Sequence, residues 1–158
     1  MFLLSLISCN DKKDKNEITK TINSIYLKPN PYTNKLLNTH VFSTELNDLI
    51  EKSRLVEEMD RARIKHSEYP NDKPLLIEGE IFTSVYEGYS SYLIKDIHID
   101  NNKARAIVSF SNGYYQLNWK DTIDLIQENG WKMDNVEFSG KSNLKATLYS
   151  FIAAYKNQ

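Results

Sequence analysis

Apolar residues along this chain recur first at helical and then at alternating spacing, and the period changes near Ile77. Ile18, Ile22, Ile25 and Tyr26 form one helical stripe, so the spacing predicts a helix from Glu17 to about Leu27, with Asn16 as its cap. Lys28-Pro29-Asn30-Pro31 is expected to stop it. A short helical turn is expected at Lys35-Leu36-Leu37. Ser43 or Thr44 then opens a longer helix, with Leu46, Leu49, Ile50, Val56 and Met59 facing inward. Its Glu51, Lys52, Glu57, Glu58, Arg61 and Arg63 read as a solvated face. Tyr69-Pro70-Asn71-Asp72-Lys73-Pro74 closes the helical part.

Beyond that point the alternation predicts five strands: Ile81 to Tyr86, Tyr92 to Ile99, Lys103 to Phe110, Tyr115 to Ile126, and Trp131 to Phe138. Glu87-Gly88, Asn101-Asn102, Asn112-Gly113 and Asn129-Gly130 join them. Asn-Gly tolerates the positive φ angles of a tight hairpin, so neighbouring strands should pair antiparallel in a meander. Ala104, Ala106, Val108 and Phe110 fall on one face of their strand and Arg105, Ile107 and Ser109 on the other, which suits a sheet covered on one side. Ser142 or Asn143 then caps a closing helix with Leu144, Leu148, Phe151, Ile152 and Tyr155 along its stripe. The expected class is α+β, with the N-terminal helices and the C-terminal helix on a curved, mostly antiparallel five-stranded sheet.

Composition adds a single core and little electrostatic reach. The chain has 158 residues, 41% hydrophobic and 26% charged, with a formal net charge of −1. That balance supplies no long-range field for nucleic acid, and no such partner is expected. The only cysteine, Cys9, changes the picture more. Leu6-Ile7-Ser8-Cys9 resembles a bacterial lipoprotein box, in which the thiol takes the lipid. A signal segment carries basic residues ahead of about 7–15 apolar ones. Here the apolar core is short and the basic residues are missing, so the expectation is a signal truncated at its N-terminus, over residues 1–9. A charged tether follows over 10–16, then one domain over 17–158. The apolar stretch is too short for a transmembrane helix of about 20 residues. The implied partner is a lipid bilayer, through acylated Cys9, and the implied location is the bacterial cell envelope, at the outer membrane.

Three pieces of the chain carry a further resemblance. Asp72-Lys73-Pro74-Leu75-Leu76-Ile77-Glu78-Gly79-Glu80-Ile81-Phe82, Asn129-Gly130-Trp131-Lys132-Met133-Asp134-Asn135-Val136 and the closing Asn143-Leu144-Lys145 resemble the envelope proteins grouped as domain of unknown function 3828. That group is similar to the nuclear-transport-factor-2-like, or cystatin-like, cone-shaped proteins. The resemblance implies a cone with a pocket between sheet and helices, and it brings no assigned reaction. Some cone-shaped proteins move a proton with one buried carboxylate and a tyrosine.

The candidate for that chemistry is Asp121, which shares strand parity with Tyr115, Leu117, Trp119, Ile123 and Leu125. Burial among those side chains would raise its pKa, whereas a bulge at Lys120-Asp121 would turn it outward. Asp121, Trp119 and Tyr115 are therefore the candidate pocket residues. Asp96, His98 and Asp100 alternate along one strand and read as a metal-like triad or as an ordinary solvent-facing edge. His40 and His66 read as surface residues at element ends. Phosphate loops, nucleophile elbows and His-Glu-x-x-His pairs are absent from the sequence, and no cofactor, metal or catalytic residue is expected. The favoured role is non-enzymatic binding of a protein or small ligand, through the pocket or through an aromatic surface around Tyr86, Tyr89 and Tyr92. The alternatives are a small pocket enzyme of isomerase or hydrolase type using Asp121, and an inhibitor or immunity protein against a secreted toxin.

Overall fold

A computed structural model describes residues 4–27, 32, 39–140 and 142–156, with the side chains of the first helix described from Asp11 onward. The helix α1 runs from Leu4 to Tyr26, a 3₁₀ turn occupies Thr39–Val41, and α2 spans Thr44–Lys65. Strands β1 (Ser91–Asp100), β2 (Lys103–Asn112), β3 (Leu117–Gln127) and β4 (Trp131–Glu137) follow, and α3 (Leu144–Lys156) closes the fold. The strands form one antiparallel meander in the order β1-β2-β3-β4. The class is α+β.

The apolar stripes account for the layers. Ile18, Ile22, Ile25 and Tyr26 of α1 join Leu46, Leu49 and Ile50 of α2 and Leu144 and Leu148 of α3 over the inner face of the sheet. That face presents Ala104, Ala106, Val108 and Phe110 from β2 and Ile123 and Leu125 from β3, all buried. Arg105 and Ile107 alternate outward and are exposed, as the period of two requires. Ser43 caps α2 by accepting the Leu46 amide at 3.1 Å. Asn143 caps α3 by accepting the Ala146 amide at 2.8 Å. At the β3–β4 turn, Asn129 (φ 51°) and Gly130 (φ 109°) both take the positive φ that a tight hairpin needs.

Three expectations change. Helix α1 begins at Leu4, so Asn16 lies inside it and the charged 10–16 stretch is helical. Its short polar and charged side chains are compatible with a helix whose exposed face is solvated there. Second, the sheet of the described residues has four strands, because Ile81 to Tyr86 is not one of them. Its backbone donors find side chains instead of a neighbouring strand. The Ser84 amide donates to Asp121 (2.9 Å) of β3 and the Phe82 amide to Glu80 (3.1 Å), while just ahead of the segment the amides of Leu75 and Ile77 donate to Asp60 (2.6 Å) and Glu57 (2.7 Å) of α2. Third, Met59 is exposed while Ser53 and Asp60 take inward positions on α2. The expected turn at Lys35-Leu36-Leu37 and the Lys28 to Pro31 stop lie outside the described residues.

Helix α1 crosses the sheet lengthwise. Along its middle it is bound to Trp131: the indole donates to Asp14 (3.1 Å), the Trp131 amide donates to Glu17 (3.0 Å), and Thr21 donates to the Trp131 carbonyl (2.9 Å). At its end Tyr26 meets Phe110, ring centroids 5.1 Å apart, beside the β2–β3 turn. The half of α1 that carries Cys9 therefore runs toward the Trp131 end of the sheet, away from that turn. Among the described residues no helix is long and apolar enough to cross a membrane.

Candidate functional site

Asp121 is the side chain in which the sequence concentrated its chemistry. The β2–β3 register runs unbroken from Lys103↔Ile126 to Asn112↔Leu117, so no bulge at Lys120-Asp121 turns the carboxylate outward. It faces inward with Trp119, Ile123 and Leu125, and only 2% of the residue is exposed. Five donors converge on it: Thr83 Oγ1 (2.8 Å), the Ser84 amide (2.9 Å) and hydroxyl, Trp119 Nε1 (3.2 Å) and the Ser139 amide (3.2 Å). Such a set engages both carboxylate oxygens. The carboxylate thereby fastens the 80–85 segment and the β4–α3 connection to the sheet. Its lone pairs are engaged by the protein, which leaves it poorly equipped to take a proton from a substrate.

Tyr115 is not beside it. The residue sits in the turn ahead of β3, half exposed, with its ring edge-on to Tyr114 at 4.8 Å. Trp119 does adjoin Asp121, and its indole also donates to Thr83 Oγ1 at 2.6 Å. The candidate trio is therefore divided between a buried polar knot and an exposed turn.

The aromatic surface expected around Tyr86, Tyr89 and Tyr92 is also redistributed. Tyr89 donates to the Tyr26 carbonyl (2.8 Å), Tyr92 donates to Asn23 (2.9 Å), and Tyr26 donates to the Phe82 carbonyl (2.6 Å). These rings pack with Phe110 and Trp119 into one interior cluster. Burial pushes the Tyr26 hydroxyl well above its ordinary pKa, with the negative charge of Asp121 adding to it. Burial raises Tyr89 in the same direction, with Glu80 contributing. Both phenols stay neutral and serve as donors. Tyr86 is the exposed member, and its ring lies against Gly79, whose φ of +74° and contact leave no room for a Cβ.

Asp96, His98 and Asp100 stand exposed on the outer side of β1. Asp96 accepts the Ile97 amide (2.9 Å) and Asp100 accepts the Asn101 side chain (3.0 Å). Among the described residues no group of three or more His, Cys, Asp or Glu side chains is arranged to hold a metal ion. His98 and Asp100 instead border a cavity of 420 Å³ at the β1–β2 hairpin end, together with Lys103, Arg105, Asp124 and Asp134. Arg105 and Asp124 pair there at 3.0 Å. The ring of His66 lies 2.8 Å from the Ala62 carbonyl at the end of α2, and the carbonyl of His40 accepts the Lys132 ammonium.

Two structural carboxylates escaped the sequence reading. Asp60, 1% exposed, accepts Arg63 Nε at 2.7 Å as well as the Leu75 amide. The Arg63 hydrogen bond, with the Leu75 amide adding, holds its carboxyl below the usual range against the opposing effect of burial. Glu57, expected on the solvated face of α2, is half-buried and holds the Ile77 amide. The available signal was position: Asp60 falls at helical spacing from Val56 and Ile64. No protein-family model, curated protein or solved structure matches this chain.

Proposed function

We propose that this chain is the folded domain of a bacterial envelope lipoprotein, anchored to the bilayer through acylated Cys9, whose work is binding and not turnover. The observation that carries the reading is the joining of the Leu6-Ile7-Ser8-Cys9 box to the helix that grips the domain. About 8 Å of helix separate Cys9 from Asp14. An acyl chain on Cys9 would thus hold the Trp131 end of the sheet toward the membrane and leave the β2–β3 turn pointing away. Acyl chains supply about 0.8 kcal/mol per buried methylene, so the domain needs no apolar membrane face of its own. The engagement of Asp121 by protein donors supports a binding role over proton transfer. In this reading the chain belongs with the domain of unknown function 3828 group, its sheet curved as in the nuclear-transport-factor-2-like and cystatin-like cones. Location at the outer membrane is part of the same proposal.

Intact-mass spectrometry of the mature protein from its native cell tests the anchor. The expected result is a chain starting at Cys9 that carries acyl groups, with membrane recovery abolished by Cys9→Ala. An unmodified Cys9 thiol on a chain that keeps its first residues would sink it.

A further inference from the structure

The end of the sheet that turns from β2 into β3 is built without charge. From Ile107 to Trp119 the chain has no acidic or basic side chain, and the same is true from Gly88 to Ile94. The strand register lays these stretches side by side: Ser91 pairs with Ser111, and Ser111 with Asn118. The Ser91 and Ser111 hydroxyls share a hydrogen bond at 2.6 Å. At the tip beyond this row Tyr114 is 86% exposed and Tyr115 52%, their rings edge to face. Charged groups on the outer face gather at the opposite end, around His98, Asp100, Lys103, Arg105 and Asp124. Along β3 the first charge met beyond the tip is Lys120.

The tip is also fixed in advance of any ligand. Asn112 is buried, its side-chain Oδ1 accepts the backbone amides of Tyr114 (3.1 Å) and Tyr115 (3.2 Å), and its Nδ2 donates to the Gly88 carbonyl (2.9 Å). Ser90 Oγ accepts the Gly113 amide at 2.9 Å, and Gln116 closes the turn at φ 55°. A turn ordered by its own hydrogen bonds holds two large rings in water without the loop entropy that binding usually costs. Interior packing does not account for them, since both lie outside the aromatic cluster of Tyr26, Tyr89 and Phe110.

We infer that this tip is a binding site for an uncharged glycan. The apolar C–H face of a sugar ring matches the exposed face of Tyr114, and its hydroxyl or N-acetyl groups match the neutral donors and acceptors of Ser91, Ser111 and Asn118. An anionic polymer would find a single cation, Lys120, beside the row and none at the ring tip, and a lipid surface would have to desolvate the Ser-Ser-Asn row without replacing its hydrogen bonds. The inference gives a ligand class to the binding role proposed above and rests on that role. It also fits the geometry of the anchor, since the tip is the end of the sheet remote from Cys9.

The test is an amide NMR titration of the full chain with uncharged hexasaccharides of N-acetylglucosamine, glucose and mannose, with hyaluronan as the anionic comparison. At least one neutral sugar is expected to shift amides confined to Ser90–Tyr92 and Ser111–Asn118, with hyaluronan bound at least tenfold more weakly. Tyr114→Ala should weaken the sugar tenfold or more, and Tyr69→Ala, at an exposed tyrosine elsewhere, should leave it unchanged. Both sites are exposed, and matching unfolding midpoints verify that the variants fold. The proposal is overturned if no neutral sugar moves those amides at millimolar concentration, if hyaluronan binds equally well, or if binding survives loss of both tip rings. A protein captured by the wild-type tip and lost in Tyr114→Ala, with the sugars inert, would assign the surface to that protein and equally overturn it. The titration needs no lipid, so its failure leaves the Cys9 anchor standing, and an unmodified Cys9 leaves the sugar site standing.

Discussion

Asp121 and Gly130 show how single side chains set this fold. Removing the Asp121 carboxylate strands the Ser84 amide and the Thr83 hydroxyl and takes one of two acceptors from the Trp119 indole and the Ser139 amide. Asp121→Ala should therefore destabilise the domain by about 2–4 kcal/mol, with Asp121→Asn less damaging because one acceptor oxygen remains. Urea unfolding checks this, and an unchanged midpoint would remove the carboxylate from its assigned role. Gly130 answers to geometry instead. Its φ of +109° is one that side chains rarely adopt, and an added Cβ would stand 2.7 Å from Glu17 Oε1. Gly130→Ala should cost about 1–3 kcal/mol, read as a lowered thermal midpoint, and part of the cost should vanish in a Glu17→Ala background.

Regular elements were legible wherever the pattern of burial and the local chemistry agreed. The inward Ala104, Ala106, Val108 and Phe110, the Asn129-Gly130 turn and the Ser43 and Asn143 caps all follow from spacing and side-chain chemistry. The 80–85 segment is opaque because its residues suit a strand while Thr83 and Ser84 are claimed by Asp121, a carboxylate distant in sequence in β3. For Asp121 the sequence left an inward carboxylate by strand parity against an outward one by a bulge; the unbroken β2–β3 register decides for inward, and the donors that claim it come from segments whose approach no periodicity announces. Hydrogen exchange should separate the two regimes. Amides of β2 and β3 should exchange slowest, most of residues 69–79 fast, and Leu75 and Ile77 slower than their neighbours. Uniform protection across 69–79 would contradict that description. The two edges of the sheet differ as well. Bridges from Phe42 and Asn143 cover β4, whereas β1 ends the sheet and carries a register shift between Ile94 and Asp96, a device that blunts edge pairing.

The domain's response to acid follows from carboxylates that join separate parts of the chain. Asp60, tied to Arg63 and Leu75, has a folded pKa below its ordinary 3.8, so the unfolded chain binds the proton more readily. The stability this gives is complete above the ordinary carboxylate range and is lost as pH falls through that range toward the folded value. Glu45, lowered by the Lys145 hydrogen bond between α2 and α3, acts with the same sign, muted by its exposure. Thermal midpoints should fall from about pH 4 downward, and Asp60→Asn should flatten that fall while lowering stability at neutral pH. A wild-type acid slope retained in Asp60→Asn would locate the sensitivity elsewhere. Finally, α1 is continuous from the segment bearing Cys9 to Tyr26. Tension drawn along its axis would load the Trp131 links and the Ile18, Ile22 and Ile25 contacts together and in shear. A pull on the tether would then meet the resistance of the entire interior at once, where a loosely hinged strap would peel away link by link.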